Sequence, residues 1–212
     1  MPKILHHTFE EGGIAIWHIT ESTKELYSLL ATNKYDTQLA NKKNDTRKAE
    51  WLAVRTLIAE LLGSEKTVAY HASGRPYLTD NSWQISISHT KNYAAIAYSC
   101  NRHVGIDIEY ISSRVDRIAH KFTNNDEASY IDIHTTHERT MLHLVNWSAK
   151  ESLYKLIDQS EAADFRNAFF LHPYPLNKTG NILAEIKLEG NNDKVKIHYA
   201  IYEDIVCTWV FA

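Results

Sequence analysis

The residues of this 212-residue chain best suited to chemistry begin with Gly105-Ile106-Asp107-Ile108-Glu109. Residues two apart on a strand share a face, so Gly105, Asp107 and Glu109 lie on one side and Val104, Ile106 and Ile108 on the other. Two carboxylates on one face repel each other. They persist if solvated, or if a cation lies between them, and an oxygen-only set suits Mg²⁺, which takes one or two carboxylates, waters and phosphate oxygens. The second segment is Trp147-Ser148-Ala149-Lys150-Glu151-Ser152-Leu153-Tyr154-Lys155. On a helix Glu151 and Lys155 face the same way. They make either an ordinary surface ion pair or a third carboxylate beside a phosphate-neutralising ammonium.

The third segment is Ser86-Ile87-Ser88-His89-Thr90. It reads as a strand ending in small hydroxyls around a histidine, at a corner where exposed N–H groups could cradle phosphate. A Ser88–His89 nucleophile pair is disfavoured, because adjacent strand residues point opposite ways. Arg47 and Lys48 fall in the first turn of a helix, where positive charge opposes the helix dipole unless an anion is bound. Arg75 sits in a tight Gly74-Arg75-Pro76 turn. His134, His137 and His143 lack the spacing of zinc-protease ligands and are expected as solvated loop histidines. Two cysteines, Cys100 and Cys207, make neither a disulfide framework nor a cysteine zinc site. Both lie in apolar runs and are expected as small buried hydrophobes.

The elements that must hold these residues follow from periodicity. Strands are predicted over 13–19, 67–71, 83–88, 93–100, 104–109, 168–171, 182–188, 195–201 and 205–211. Helices are predicted over 22–32, 45–62 and about 138–157, with Gly63 ending the second. The order is strand, helices, strands, then strand, helices, strands. It implies two α+β halves, 1–102 and 103–212, without a sequence repeat between them.

Hydrophobic residues make up 44% and charged residues 23%, with only 7 Gly and 4 Pro, which is a globular composition with enough length for a core. The formal net charge of −3 disfavours a generic nucleic-acid coat. The longest apolar stretch, Tyr93 to Cys100, is too short for a membrane helix, and the start is not a signal-peptide core. Cytoplasmic is the default expectation.

Taken together and in order, these segments resemble the 4′-phosphopantetheinyl transferase superfamily, in its two-lobed surfactin-synthetase-activating class. Gly105–Glu109 and Trp147–Lys155 are similar to that family's G-I-D-I-E strand and W-S-x-K-E-S-x-x-K helix. Gly74-Arg75-Pro76, Ile87-Ser88-His89-Thr90, the Arg47/Trp51-Leu52/Arg55 helix and Lys121-Phe122 through Glu127 resemble further family elements. The resemblance spans residues 45 to 155.

It implies two similar α+β lobes related by a pseudo-twofold, with the active site between them. Coenzyme A would bind there with Mg²⁺ (or Mn²⁺) held by Asp107, Glu109 and Glu151. The serine hydroxyl of an apo acyl or peptidyl carrier protein would attack the β-phosphate, yielding holo carrier and 3′,5′-ADP. Glu151 is implied as general base and Lys155 as charge neutraliser. Arg47, Arg75, Ser88, His89 and Lys155 would contact coenzyme A phosphates. No nucleic acid or membrane is implied as partner, and a monomer is. Two competing readings are a coenzyme A-binding module without catalysis and a Mg²⁺-dependent pyrophosphate hydrolase. Two departures from the family stand out. The stretch 156–164 has no glycine, and the basic residues upstream of the first-half helix have no clean match beyond Lys34, Lys42 and Lys43. Glu127 matches in position, but as a metal ligand it is doubtful.

Overall fold

A computed structural model describes residues 3–30, 34–42, 44–157, 164–188 and 191–212. The fold is mixed α+β, and the chain divides into two compact units, Met1–Asn101 and Arg102–Ala212.

The first unit is a four-stranded sheet with a long helix. Its strands are β1 (Lys3–Phe9), β2 (Gly12–His18), β5 (Gln84–Thr90) and β6 (Tyr93–Ser99), in the order β1-β2-β6-β5. Neighbours run antiparallel throughout. Helices α1 (Thr23–Leu30), α2 (Asp36–Ala40) and α3 (Asp45–Leu62) follow β2, and β3 (Val68–Tyr70) pairs with β4 (Pro76–Leu78) as a separate hairpin. Helix α3 starts where Asn44 accepts the Arg47 amide and ends at Gly63, whose φ of 119° few side-chain-bearing residues adopt. Its stripe of Trp51, Leu52, Val54, Leu57 and Ile58 is buried with Trp17, Leu26, Ile85 and Ile96.

The second unit is a five-stranded sheet ordered β7-β11-β10-β9-β8. These strands are β7 (Val104–Tyr110), β8 (Phe169–Leu171), β9 (Thr179–Leu188), β10 (Asn191–Ile201) and β11 (Ile205–Phe211). Between β7 and β8 come a 3-10 turn (Ser113–Ile118) and helices α4 (Ala119–Phe122), α5 (Asn125–Asp132), α6 (Thr136–Leu156) and α7 (Phe165–Ala168). Helix α6 opens with a capping box between Thr135 and Glu138. It lies against β7 and β11 so closely that a Cβ on Gly105 would come within 2.0 Å of the Ser152 carbonyl oxygen. Beneath it, the Thr208 hydroxyl meets those of Ser148 at 3.0 Å and Ser152 at 2.7 Å. These contacts fix the distance between the strand carrying Asp107 and the helix carrying Glu151. Gly105→Ala is therefore expected to force α6 off the sheet, at about 1–3 kcal/mol, and to lower the melting temperature of the folded protein. An unchanged thermal melt would mean that α6 has room to retreat.

Several expectations need correction. Residues 83–88 do not end a strand at Ser88. The ladder continues through His89 and Thr90, which pair with Ala94 and Tyr93, and the corner shrinks to Lys91 and Asn92. Lys91 turns the chain at φ 44°. Ser88 to Thr90 therefore lie within β5, the edge strand of this sheet, rather than in a loop corner. Cys100 is exposed just beyond β6, whereas Cys207 is buried. His143 lies on α6 rather than in a loop, nearly buried, with Nδ1 2.8 Å from Asp116 Oδ1. Strands β1 and β4 and helix α2 were not expected.

Candidate active site

Strand β7 and helix α6 bring together Asp107, Glu109, Glu151 and Lys155. Asp107 pairs in register with Thr208 and Glu109 with Val206, on the sheet face that α6 covers. This face is not a solvated one: Asp107 is 4% exposed and Glu109 half-buried. Lys155 does not end in a surface ion pair with Glu151. Its ammonium crosses to the strand and donates to Asp107 Oδ1 at 2.8 Å and to the Ile106 carbonyl at 3.1 Å. The Trp147 indole N–H donates to Glu109 Oε1 at 2.7 Å. Trp147, Glu151 and Lys155 are spaced by four along one helix face, a spacing that sequence reading used for Glu151 and Lys155 but not for Trp147.

Burial, then the charge of Asp107, pushes the Glu109 carboxyl up to about 7, against the opposing Trp147 hydrogen bond. Burial and then Asp107 push Glu151 up to about 7 as well, with Lys155 opposing. Three carboxylates and one ammonium leave an excess of negative charge in a half-buried place. That oxygen-only donor set fits a hard divalent cation. Among the described residues no three His, Cys, Asp or Glu side chains already form a metal cage. The reason is visible, since Asp107 is drawn to Lys155 and Glu109 to Trp147. Mg²⁺ does not need such a cage, because it is commonly held by one or two carboxylates together with substrate phosphates.

A pH prediction follows for the metal-free protein. Both carboxyls have folded pKa values raised above their ordinary 4.5. Between pH about 4.5 and about 7 the folded form holds protons that the unfolded form has released. Stability from these groups therefore falls as pH rises through that window, by about 1–3 kcal/mol, and levels off above it. Melts in EDTA across the window should show a decline that shrinks in Glu109→Gln. An identical decline in that variant would remove Glu109 as its source.

The other residues of the helix motif have structural partners. Lys150 is fully buried, and its ammonium donates to Glu127 Oε2 at 2.8 Å and to the carbonyls of Phe122 and Phe165. Glu127 also accepts the amides of Asn124 and Leu171. It is committed to capping α5 and pairing Lys150, not to the carboxylate group around Asp107.

In the first unit the structure brings Arg47 and His89 together, with Arg47 Nη1 3.3 Å from His89 Nδ1. His89 is exposed on β5, while Ser88 beside it points the other way and is buried. Positive charge in the first turn of α3 is offset within the helix itself. Arg47 donates to Glu50 Oε2 at 3.2 Å, and Lys48 lies 3.6 Å from Asp45. Glu50, three residues after Arg47 and 3% exposed, escaped sequence reasoning. Its signal was a carboxylate next to Trp51 at the start of a helical apolar stripe. Arg75 is half-buried at the β3–β4 turn, where Gly74 has φ 88°. Lys34 donates to the Ser64 and Lys66 carbonyls, and Lys42 lies over the Trp51 ring. Lys43 and residues 158–163 of the glycine-free stretch lie outside the described residues.

No described helix is long and apolar enough to cross a membrane. A family model described as the 4′-phosphopantetheinyl transferase superfamily matches residues 103–210, about half of the chain and nearly the whole second unit. None of the curated proteins searched matches it.

Proposed function

Since the chain belongs to the 4′-phosphopantetheinyl transferase superfamily, and so is a transferase of phosphopantetheine, we propose that its donor is coenzyme A and its acceptor a serine hydroxyl of an apo acyl or peptidyl carrier protein. The observation that carries this reading is the trio Asp107, Glu109 and Glu151 gathered beside Lys155 on β7 and α6. Asp107, Glu109 and Glu151 are the residues that would hold a Mg²⁺ or Mn²⁺, which would supply neutralising charge to the pyrophosphate oxygens.

The chain's own residues do the rest. The carrier serine oxygen attacks the β-phosphorus of coenzyme A, and the bond from that phosphorus to the bridging oxygen of 3′,5′-ADP breaks. A proton leaves the serine as it attacks. Glu151, the carboxylate that α6 presents beside Lys155, is assigned to take it. Lys155 keeps its ammonium at Asp107, where it can offset charge that develops on the leaving phosphate. Arg47, Arg75 and His89 are assigned to the phosphates of coenzyme A, with Arg47 and His89 already adjacent, and Ser88, buried on the other face of β5, is left out of that set.

Intact-mass analysis of apo carrier proteins incubated with this protein, coenzyme A and Mg²⁺ tests the reading. The expected result is a gain of one phosphopantetheine group that EDTA suppresses. Coenzyme A cleavage without any carrier would indicate a hydrolase instead, and binding without cleavage would indicate a non-catalytic module.

A further inference from the structure

One buried group in the first unit has no part in the reaction described above. Glu50 lies on α3 with its side chain 4% exposed, and its Oε2 lies beside both Arg47 and His89. Arg47 Nη1 donates to it at 3.2 Å, and His89 Nδ1 lies at the same distance, 3.2 Å. Arg47 is 61% exposed and His89 36% exposed, and they come from different elements, α3 and β5.

Left alone, two such side chains repel when both are charged and spread over many rotamers. A buried carboxylate behind them does the opposite. It draws the guanidinium and the ring toward one point, with Arg47 Nη1 and His89 Nδ1 themselves 3.3 Å apart. The charge of Glu50 weakens the attraction of Arg47 for an anion, so its usefulness is in order rather than in attraction.

Resting on the assignment of Arg47 and His89 to coenzyme A phosphates, we propose that Glu50 is a positioning residue, whose buried carboxylate holds the Arg47 guanidinium and the His89 ring in one arrangement so that an arriving phosphate meets both together. It touches no substrate itself. Its effect should fall on the coenzyme A step and leave the transfer step alone.

The test compares Glu50→Ala and Glu50→Gln with Arg47→Ala, His89→Ala and their combinations, all first checked by thermal melt. Glu50→Ala should raise KM for coenzyme A about tenfold, with kcat at saturating coenzyme A and KM for the carrier unchanged. Glu50→Gln keeps an oxygen for Arg47 and should recover most of that loss. In an Arg47→Ala/His89→Ala background, Glu50→Ala should add nothing further. The split between KM and kcat and the recovery in Glu50→Gln are readouts that mere destabilisation would not move. If Arg47→Ala and His89→Ala leave coenzyme A affinity untouched, the underlying assignment fails and the proposal with it. If they weaken it while Glu50→Ala does not, or if its effect is additive or falls on kcat, the assignment stands and the positioning role is overturned.

Discussion

Asp107→Asn is expected to cut phosphopantetheine transfer by about 10³-fold while leaving the fold intact. The replacement keeps the shape of a side chain that is only 6% exposed. It removes the charge that pairs Lys155 and that pushes both Glu109 and Glu151 upward. The site thereby loses one of three carboxylates and the anchor of its ammonium in a single step, and electrostatic groups of this kind are each worth about 10²–10³ in rate. The measurement is single-turnover transfer to an apo carrier at saturating coenzyme A, beside a thermal melt. Transfer within about tenfold of native by a folded Asp107→Asn protein would remove Asp107 from the metal and charge network proposed here.

Lys150→Met should be the most destabilising single change in the second unit. The ammonium it deletes is fully enclosed, and Glu127, 1% exposed, would remain inside without its counter-charge. Breaking a buried pair from one side costs about 3–5 kcal/mol, a large part of the 5–15 kcal/mol that holds a typical domain together. The amides of Asn124 and Leu171 still reach Glu127 and soften the loss without replacing it. Denaturant unfolding measures the cost. Lys150→Met/Glu127→Gln, which has no stranded charge, should regain part of the stability. A single variant as stable as the native protein would show that the pair adds little beyond its neighbouring amide bonds.

The carboxylate strand and the helix were legible because chemistry and periodicity coincide there. Alternation along 104–109 separates Asp107 and Glu109 from Ile106 and Ile108, and an i, i+4 spacing carries Glu151 and Lys155. What the spacing could not reveal is the partner. Nothing within one helix says that Lys155 crosses to Asp107 or that Trp147 reaches Glu109, since those contacts depend on how α6 lies on the sheet. Strand β1 went unseen because it is an edge strand whose residues from His6 to Phe9 are all exposed, which leaves no inside-outside pattern to detect. Strand β4 is three residues long and starts at a proline. His89 was assigned to a corner because the tight turn after it uses Lys91 and Asn92, with no glycine to mark it. Glu50 hid because a buried carboxylate in an apolar helix breaks the usual pattern, and one of its two partners, His89, comes from a strand distant in sequence.

The close seating of Gly105 against Ser152 bears on how such a motif tolerates variation. In a saturation scan scored on transfer, Gly105 should be nearly as intolerant as Asp107, although it offers no side chain to any ligand. Every replacement adds at least one carbon where the helix backbone already stands. Rescue is then expected from second-site changes that thin the α6 side, whereas losses at Asp107 have no such remedy. Two positions two residues apart would look alike in a tolerance map and separate only in the spectrum of their suppressors.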